Sequence, residues 1–273
     1  MAHGPHIRRS TGTRTNIIIF IVTFISVSCS VKEMREACPC RVGLDFSELL
    51  PVASPEEEIV ATVTGDDGPT VYRRRFGTDT CDSRYEILLP KGLYTSAALL
   101  SSGEAVWMQE EEGIRLREGF QADSLYGQAA SLDAMDEEAE FIPKPLKQFA
   151  TLFILFPTPV SNLRVEVTMP SSFINTGDLS ARESPFAESS IINGESGSLR
   201  LPRQTGRDIS VTFFDGGGVR PLTAVDLAPL LQKNGYDFNA PELADIYLTM
   251  DFGTGKATIE VEGWKESFII VTF

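Results

Sequence analysis

The chain has 273 residues, of which 42% are hydrophobic, and a formal net charge of −14 at pH 7. This length allows one large or two ordinary domains, and the apolar fraction excludes a wholly disordered chain. So acidic a surface disfavours nucleic-acid binding because it repels the phosphate backbone.

The N-terminus has the pattern of a signal peptide. Residues 1–16 are polar and basic, and residues 17–28 form an apolar run. This run is shorter than the roughly 20 residues that cross a bilayer, so we predict a signal peptide at residues 1–28. An N-terminal membrane helix is the alternative. The two histidines of the chain, His3 and His6, would be removed with this segment.

A chain without histidine lacks the usual general base and the commonest metal ligand. A Ser–His–Asp triad, a Cys–His pair and a histidine zinc site are thereby excluded. We expect no enzyme activity, cofactor, metal site or small-molecule substrate. Carboxylate chemistry remains open, with Glu56-Glu57-Glu58 or Glu110-Glu111-Glu112 as candidates, although such acidic runs are usually solvated. Calcium binding also remains open, but no spaced ligand loop is present.

The apolar run ends at Val27-Ser28-Cys29-Ser30, which resembles a bacterial lipobox, with Ser26 where leucine is usual. Cys29 would then carry a diacylglyceryl group, and residues 29–40 would form a linker from the membrane lipid. Cys29 as a simple exported thiol is the alternative. Ser30, in place of aspartate, is compatible with passage to the outer membrane.

Three further cysteines follow: Cys38, Cys40 and Cys81. Export makes a disulfide plausible, but a bridge across Pro39 between Cys38 and Cys40 would be strained. We predict that Cys81 pairs with either Cys38 or Cys40, which leaves one thiol over.

Short β-rich runs alternate with turn residues through the first half, so it is predicted to be all-β. Pro90-Lys91-Gly92 predicts a turn, because proline presets φ and glycine tolerates positive φ. The predicted strands are Val42–Phe46, Ile59–Thr64, Thr70–Phe76, Tyr85–Leu89, Tyr94–Leu100, Ala105–Met108 and Ile114–Arg117.

Residues 132–145 are acidic and then proline-rich, which disfavours both helix and central strand. We therefore predict a domain boundary here, between an N-terminal β-sandwich at residues 41–142 and a C-terminal β-sandwich at residues 143–273. Many short strands with few helices are typical of this architecture.

The second half begins with an apolar run bounded by Pro157 and Pro159, which predicts a buried strand. Asp215-Gly216-Gly217-Gly218 predicts a hairpin turn rather than a phosphate loop, because no lysine or helix start follows it. Val225–Lys233 is the one predicted helix, ended by Asn234-Gly235. The predicted strands are Phe149–Phe156, Leu163–Met169, Ser198–Leu201, Ile209–Phe214, Tyr247–Met250 and Ala257–Glu262.

The chain closes on the strongly β-forming segment Trp264–Phe273. Such a strand either pairs inside its own domain or adds to the sheet of a partner. The sequence pattern does not choose between these. The predicted partner-binding residues are Trp264, Phe268, Ile269, Ile270, Val271 and Phe273.

The segment Cys29–Phe46, with its lipobox cysteine, charged spacer, Cys-Pro-Cys element and first strand, resembles the fimbrial anchor lipoproteins of Bacteroidales, the minor subunits related to fimbrillins. Tyr85–Tyr94 and Ala122–Gly127 are similar to the same family. The resemblance implies two transthyretin-like β-sandwich domains in a surface-exposed outer-membrane lipoprotein. It also implies that the protein holds a fimbria and limits its growth, with fimbrial stalk subunits as partners.

In related stalk subunits, a protease removes the first strand after an arginine, and a neighbour's strand fills the groove. The resemblance implies that an anchor keeps its first strand, here about Val42–Phe46. Arg41 directly precedes that strand, so processing remains open.

Two other features bear on function. A surface lipoprotein that binds host protein or glycan is the alternative, although its only tryptophans, Trp107 and Trp264, lie in strand-like runs that favour core packing. Asp123-Ser124-Leu125 resembles the O-glycosylation site of exported proteins in these bacteria, which makes Ser124 a candidate.

Overall fold

The structure is a computed structural model that describes residues 38–66, 68–103, 106–216 and 218–270. These residues form eighteen β-strands, one α-helix and a short 3-10 turn. The prediction of an all-β chain with tandem β-sandwiches is therefore confirmed.

Nine strands come from the first half of the chain. Most of them match predicted runs within two residues at each end, because alternating apolar residues and turn residues set them locally. The strands are β1 (Cys40–Asp45), β2 (Glu58–Gly65), β3 (Thr70–Gly77), β4 (Arg84–Leu89), β5 (Leu93–Ser101), β6 (Trp107–Gln109), β7 (Gly113–Leu116), β8 (Tyr126–Asp133) and β9 (Glu138–Phe141).

Seven of these strands build a sandwich of two sheets, with strand orders β4-β1-β9 and β3-β2-β5-β8. β1 is the central strand of the first sheet, antiparallel to β4 and parallel to β9. The two sheets enclose one apolar core, which includes Val42, Leu44, Phe46, Ile59 and Leu100. β1 therefore contributes buried side chains from the middle of its sheet.

The second half contains the other nine strands and the helix. Its main sheet has the order β15-β14-β10-β16-β17-β18, and β13 also pairs with β10. The elements are β10 (Phe149–Met169), β11 (Phe173–Asn175), β12 (Ala181–Arg182), β13 (Phe186–Pro202), β14 (Ser210–Phe214), β15 (Pro221–Asp226), α1 (Ala228–Asn234), β16 (Ile246–Asp251), β17 (Lys256–Val261) and β18 (Trp264–Ile269).

β10 corrects the prediction of two separate strands, because it is continuous over 21 residues. Its ladder with β13 shifts register between Leu155 and Leu163. Pro157 and Pro159 lie in this stretch and cannot donate to a ladder. Before the shift β10 pairs with β16, and after it β10 pairs with β14, so this one strand joins β14 and β16 into the same sheet.

The predicted helix is also corrected. α1 starts at Ala228, three residues later than predicted, because Val225 and Asp226 belong to β15. Proline lies in the first turn of α1, where its missing N–H has no cost. Gly235 ends the helix with φ of 80°, a left-handed conformation that glycine adopts readily.

A third sheet joins the two halves, with the order β12-β11-β7-β6. Its core contains Leu99, Trp107 and Ile114 from the first half and Ile174 and Leu179 from the second. The predicted boundary after residue 142 falls between β9 and β10, but residues 173–182 pack with the first half. The two halves consequently share a core.

Candidate partner-binding strands

β18 is an edge strand, paired with β17 along one side only within the described residues. Trp264 and Phe268 are half-buried and pack against the core of the second half. Ile269 lies on the opposite face and is 86% exposed. Of the other predicted partner-binding residues, Ile270 is buried, whereas Val271 and Phe273 lie outside the described residues.

Within the part of the chain that the structure describes, the backbone of β18 is paired on one side only. The Ile270 N–H donates to the Gly255 carbonyl of the neighbouring turn at 2.9 Å. Residues of an antiparallel strand alternate between facing their partner strand and facing away from it. The backbone groups of Lys265, Ser267 and Ile269 therefore face away from β17, which leaves an edge of the kind that accepts an added strand.

β1 is held on both sides, and Arg41 lies inside it rather than in front of it. The Arg41 N–H donates to the Glu137 carbonyl at 2.9 Å. Its guanidinium lies 3.9 Å from Glu86 on β4 and 3.6 Å from Glu138 on β9. These exposed pairs are individually weak. The backbone ladders and the buried alternate side chains hold the strand in place.

Gly43 lets a second ion pair pass over β1. The Arg84 guanidinium lies above Gly43, where an added Cβ would come within 3.1 Å of it. From there Arg84 reaches Glu140 on β9 at 3.1 Å. The outer face of β1 is thereby crossed by a link between its two neighbouring strands.

We expect the Arg41–Val42 bond to resist an arginine-specific protease in the folded protein. Such a protease needs an unpaired extended segment, and Arg41 is hydrogen-bonded within a three-stranded sheet. Mass spectrometry of timed digests checks this, and the urea-unfolded protein, in which the bond is cut, is the control. Cleavage at Arg41 at similar rates in both states would contradict the expectation.

Cys38, Cys40 and Cys81 are free thiols in the structure, so the described residues do not contain the predicted disulfide of Cys81. Cys40 lies opposite Leu89, at the far end of the β1–β4 ladder from Arg84. β4 spans about 17 Å from Leu89 to Arg84, and Cys81 lies three residues beyond its Arg84 end. Disulfides need Cα atoms within about 7 Å.

Arginines engage both acidic runs that were candidates for hydrolytic chemistry. Arg115 contacts Glu110 at 2.5 Å, and this hydrogen bond lowers the pKa of Glu110. Arg182 pairs with Glu112, and Arg75 lies 3.5 Å from Glu58. Within the described ranges, no group of three or more histidine, cysteine or acidic residues is arranged to hold a metal ion.

Trp107 is fully buried, and its indole N–H donates to Asp123 at 2.7 Å. Trp264 is half-buried against the core, so neither tryptophan is fully exposed for glycan stacking. Ser124 is half-buried beside the fully buried Leu125, and its glycosylation stays a prediction.

The predicted signal peptide at residues 1–28 and the lipidation site Cys29 lie outside the described residues. In the part of the chain that the structure describes, no helix is long and apolar enough to cross a membrane. Lipid attachment through Cys29 therefore stays a prediction.

Sequence reasoning missed the residues of β9 that pair with β1, because residues 132–145 were interpreted as a domain boundary. A signal was present, since Glu138-Ala139-Glu140-Phe141 alternates polar and apolar residues as a strand does. In the structure Glu138 and Glu140 are exposed and Phe141 is buried. The acidic composition hid a strand whose outer face carries charges.

No protein-family model matches the chain. No curated protein sequence matches it either. Among solved structures, the fimbrial anchor protein Mfa2 from Porphyromonas gingivalis is similar with a TM-score of 0.56 and 14% identity, over 84% of this chain and 99% of that one.

Candidate adhesins from Bacteroides thetaiotaomicron and Bacteroides ovatus each give a TM-score of 0.55 and 12% identity. Each match covers 84% of this chain, and 97% and 95% of the respective adhesin. Identities this low establish a common fold only. The chain thus has the fold of Mfa2 and of these two proteins, as the family resemblance implied.

Proposed function

We propose that the protein is a lipid-anchored outer-membrane subunit that holds a fimbria at the cell surface and limits its length. The fold shared with Mfa2, a fimbrial anchor protein, supports this proposal. The N-terminal lipid at Cys29 would fix the chain to the membrane, and fimbrial stalk subunits would be its partners.

The open edge of β18 is the observation that carries the proposal. A stalk strand paired with Lys265, Ser267 and Ile269 would satisfy their backbone groups and cover the exposed Ile269 side chain. β1 pairs on both sides within the described residues, so the central position of its sheet is filled by the chain's own strand. A subunit that accepts a strand at one edge and keeps β1 would end assembly there.

A surface adhesin that binds host protein or glycan is the second candidate, and the two candidate adhesins with this fold favour it. It predicts binding to host material that is independent of fimbrial subunits. The full burial of Trp107 and the half-burial of Trp264 weaken its glycan form.

A proline at position 267 tests strand addition. Ser267→Pro removes one outward N–H from β18 while leaving its bonds to β17, and proline is tolerated on edge strands. We expect tagged full-length protein with this change to retrieve at least tenfold less stalk subunit from the native bacterium. Ser267→Ala is the matched control, since it also loses the 2.8 Å side-chain contact with Thr258.

Two further measurements accompany this pull-down. Circular dichroism checks that both variants fold, and membrane fractionation checks that both reach the outer membrane. Equal retrieval by Ser267→Pro and wild type would refute strand addition at β18. Failure of correctly located wild-type protein to retrieve any stalk subunit would refute the anchor proposal and favour the adhesin.

A further inference from the structure

A cavity of about 340 Å³ opens where the two halves of the chain meet. β8 lines it from the first half, and residues 178–180 and 239–241 line it from the second. Among the lining residues Arg203 and Gln148 are buried, whereas Asp178 and Asn239 are exposed.

Arg203 carries a buried charge and is 6% exposed. Its Nε and Nη2 atoms donate to Gln148 Oε1 at 3.1 and 2.5 Å, and Nη1 donates to the Phe238 carbonyl at 2.5 Å. A longer contact of 3.5 Å joins Nη2 to the Pro241 carbonyl. All these acceptors are uncharged. The four contacts use four of the five guanidinium N–H groups, so one N–H group has no acceptor among the described residues.

The guanidinium also lacks a close counter-charge. No ion pair found within the described residues involves Arg203. Burial lowers its pKa, and Asp237 opposes this only at longer range. Buried charges in proteins are normally paired, so an anion in the cavity would be stabilised here.

The walls of the cavity suit a ligand that is partly apolar. Ala129, Leu146 and Leu179 contribute apolar side chains, and the amides of Gln128 and Asn239 supply hydrogen-bond donors. Small-molecule sites often combine such walls with a few polar groups at a domain junction.

The one acidic residue in the lining does not neutralise Arg203. The Asp178 carboxylate accepts bonds from the Ser180 N–H at 3.0 Å and the Ser180 hydroxyl at 2.7 Å. Asp178 is exposed, so water screens its repulsion of an incoming anion.

We propose that this cavity binds a small organic carboxylate, with the carboxylate at Arg203 and the apolar body against Ala129, Leu146 and Leu179. The site is independent of the proposed anchoring role and departs from the expectation that the protein takes no small molecule. Because both halves form its walls, a bound ligand stabilises their junction.

Calorimetric titration of the full chain with benzoate and with benzamide tests the site, because the two probes have similar shapes and differ in charge. We expect benzoate to saturate with a Kd near 1 mM and to bind at least tenfold more tightly than benzamide. Ala129→Leu narrows the cavity without altering Arg203 and is expected to weaken benzoate binding at least tenfold. Ala187→Leu, at an exposed position on β13, is the control and should leave binding unchanged.

Thermal unfolding confirms that both variants fold before titration. Equal affinity for benzoate and benzamide would overturn the proposal. Unchanged benzoate affinity in Ala129→Leu, or no benzoate binding by the wild type up to about 20 mM, would overturn it as well.

Discussion

Replacing Trp107 with alanine is expected to lower the free energy of unfolding by about 3–5 kcal/mol, the range for deleting a buried tryptophan. Trp107 is fully buried in the core that both halves build, where it packs with residues such as Leu99 and Ile174. Its loss leaves a cavity and deprives Asp123 of the indole N–H. Urea unfolding followed by circular dichroism measures the change.

Two variants make this result specific. Met108→Ala alters a partly exposed neighbour on β6 and should cost about 0.5 kcal/mol or less. Trp107→Phe retains most of the apolar volume and loses the bond to Asp123, so its cost should fall between those of the two alanine variants. A loss below about 1 kcal/mol in Trp107→Ala would show that the shared core does not support the fold.

The protein is expected to lose stability as the pH rises from about 5 to 8, and Glu188 is the cause. This side chain is 3% exposed on β13, and its Oε1 atom has no hydrogen-bond partner among the described residues. Burial raises the pKa of Glu188 to about 7, although the Ala122 N–H and the charge of Arg200 oppose the rise.

The sign of this effect follows from proton binding. The folded protein keeps a proton on Glu188 up to about pH 7, whereas the unfolded chain releases it near pH 4.5. The free energy of unfolding therefore falls as the pH rises from 4.5 to about 7, and this decrease levels off above pH 7. The difference between these two pKa values corresponds to a loss of about 3 kcal/mol in the free energy of unfolding. Asp45, Asp245 and Asp251 have lowered pKa values, so their effects fall below this window.

Urea unfolding at half-unit steps from pH 5 to 8.5 checks the Glu188 prediction. Glu188→Gln should remove most of the slope and make the variant more stable than the wild type at pH 8. Glu183→Gln changes an exposed glutamate nearby and should keep the wild-type slope. An unchanged slope in Glu188→Gln would assign the pH dependence to another group.

Local features of the sequence predicted much of the fold. Alternating apolar residues identified β4 and β17 to within about two residues, because side chains of a strand alternate between core and solvent. Turn chemistry placed the hairpin at Asp215–Gly218 and the end of α1 at Gly235, since glycine alone adopts positive φ at little cost. These features depend on a few neighbouring residues and can therefore be recognised from the sequence alone.

Other strands escaped prediction because their partners supply what their sequences lack. β13 is rich in serine and glycine, and only its last residues were recognised as a strand. It is held by its ladder with β10, in which Leu199 and Leu201 pack against the core. Strand preference depends on cross-strand neighbours as much as on the residue itself.

By itself, the sequence determined the all-β class, the two sandwiches and the β character of the C-terminal segment, since periodicity and turn residues encode them. Only the tertiary structure decided that Arg41 lies within a central strand and that Cys81 lies beyond the end of β4 opposite to Cys40. It also decided that β18 is an edge strand among the described residues and that Arg203 lines a cavity. Each of these depends on which distant segments pair. Pairing across many residues is set by the packing of the whole chain and is not recorded in any local pattern.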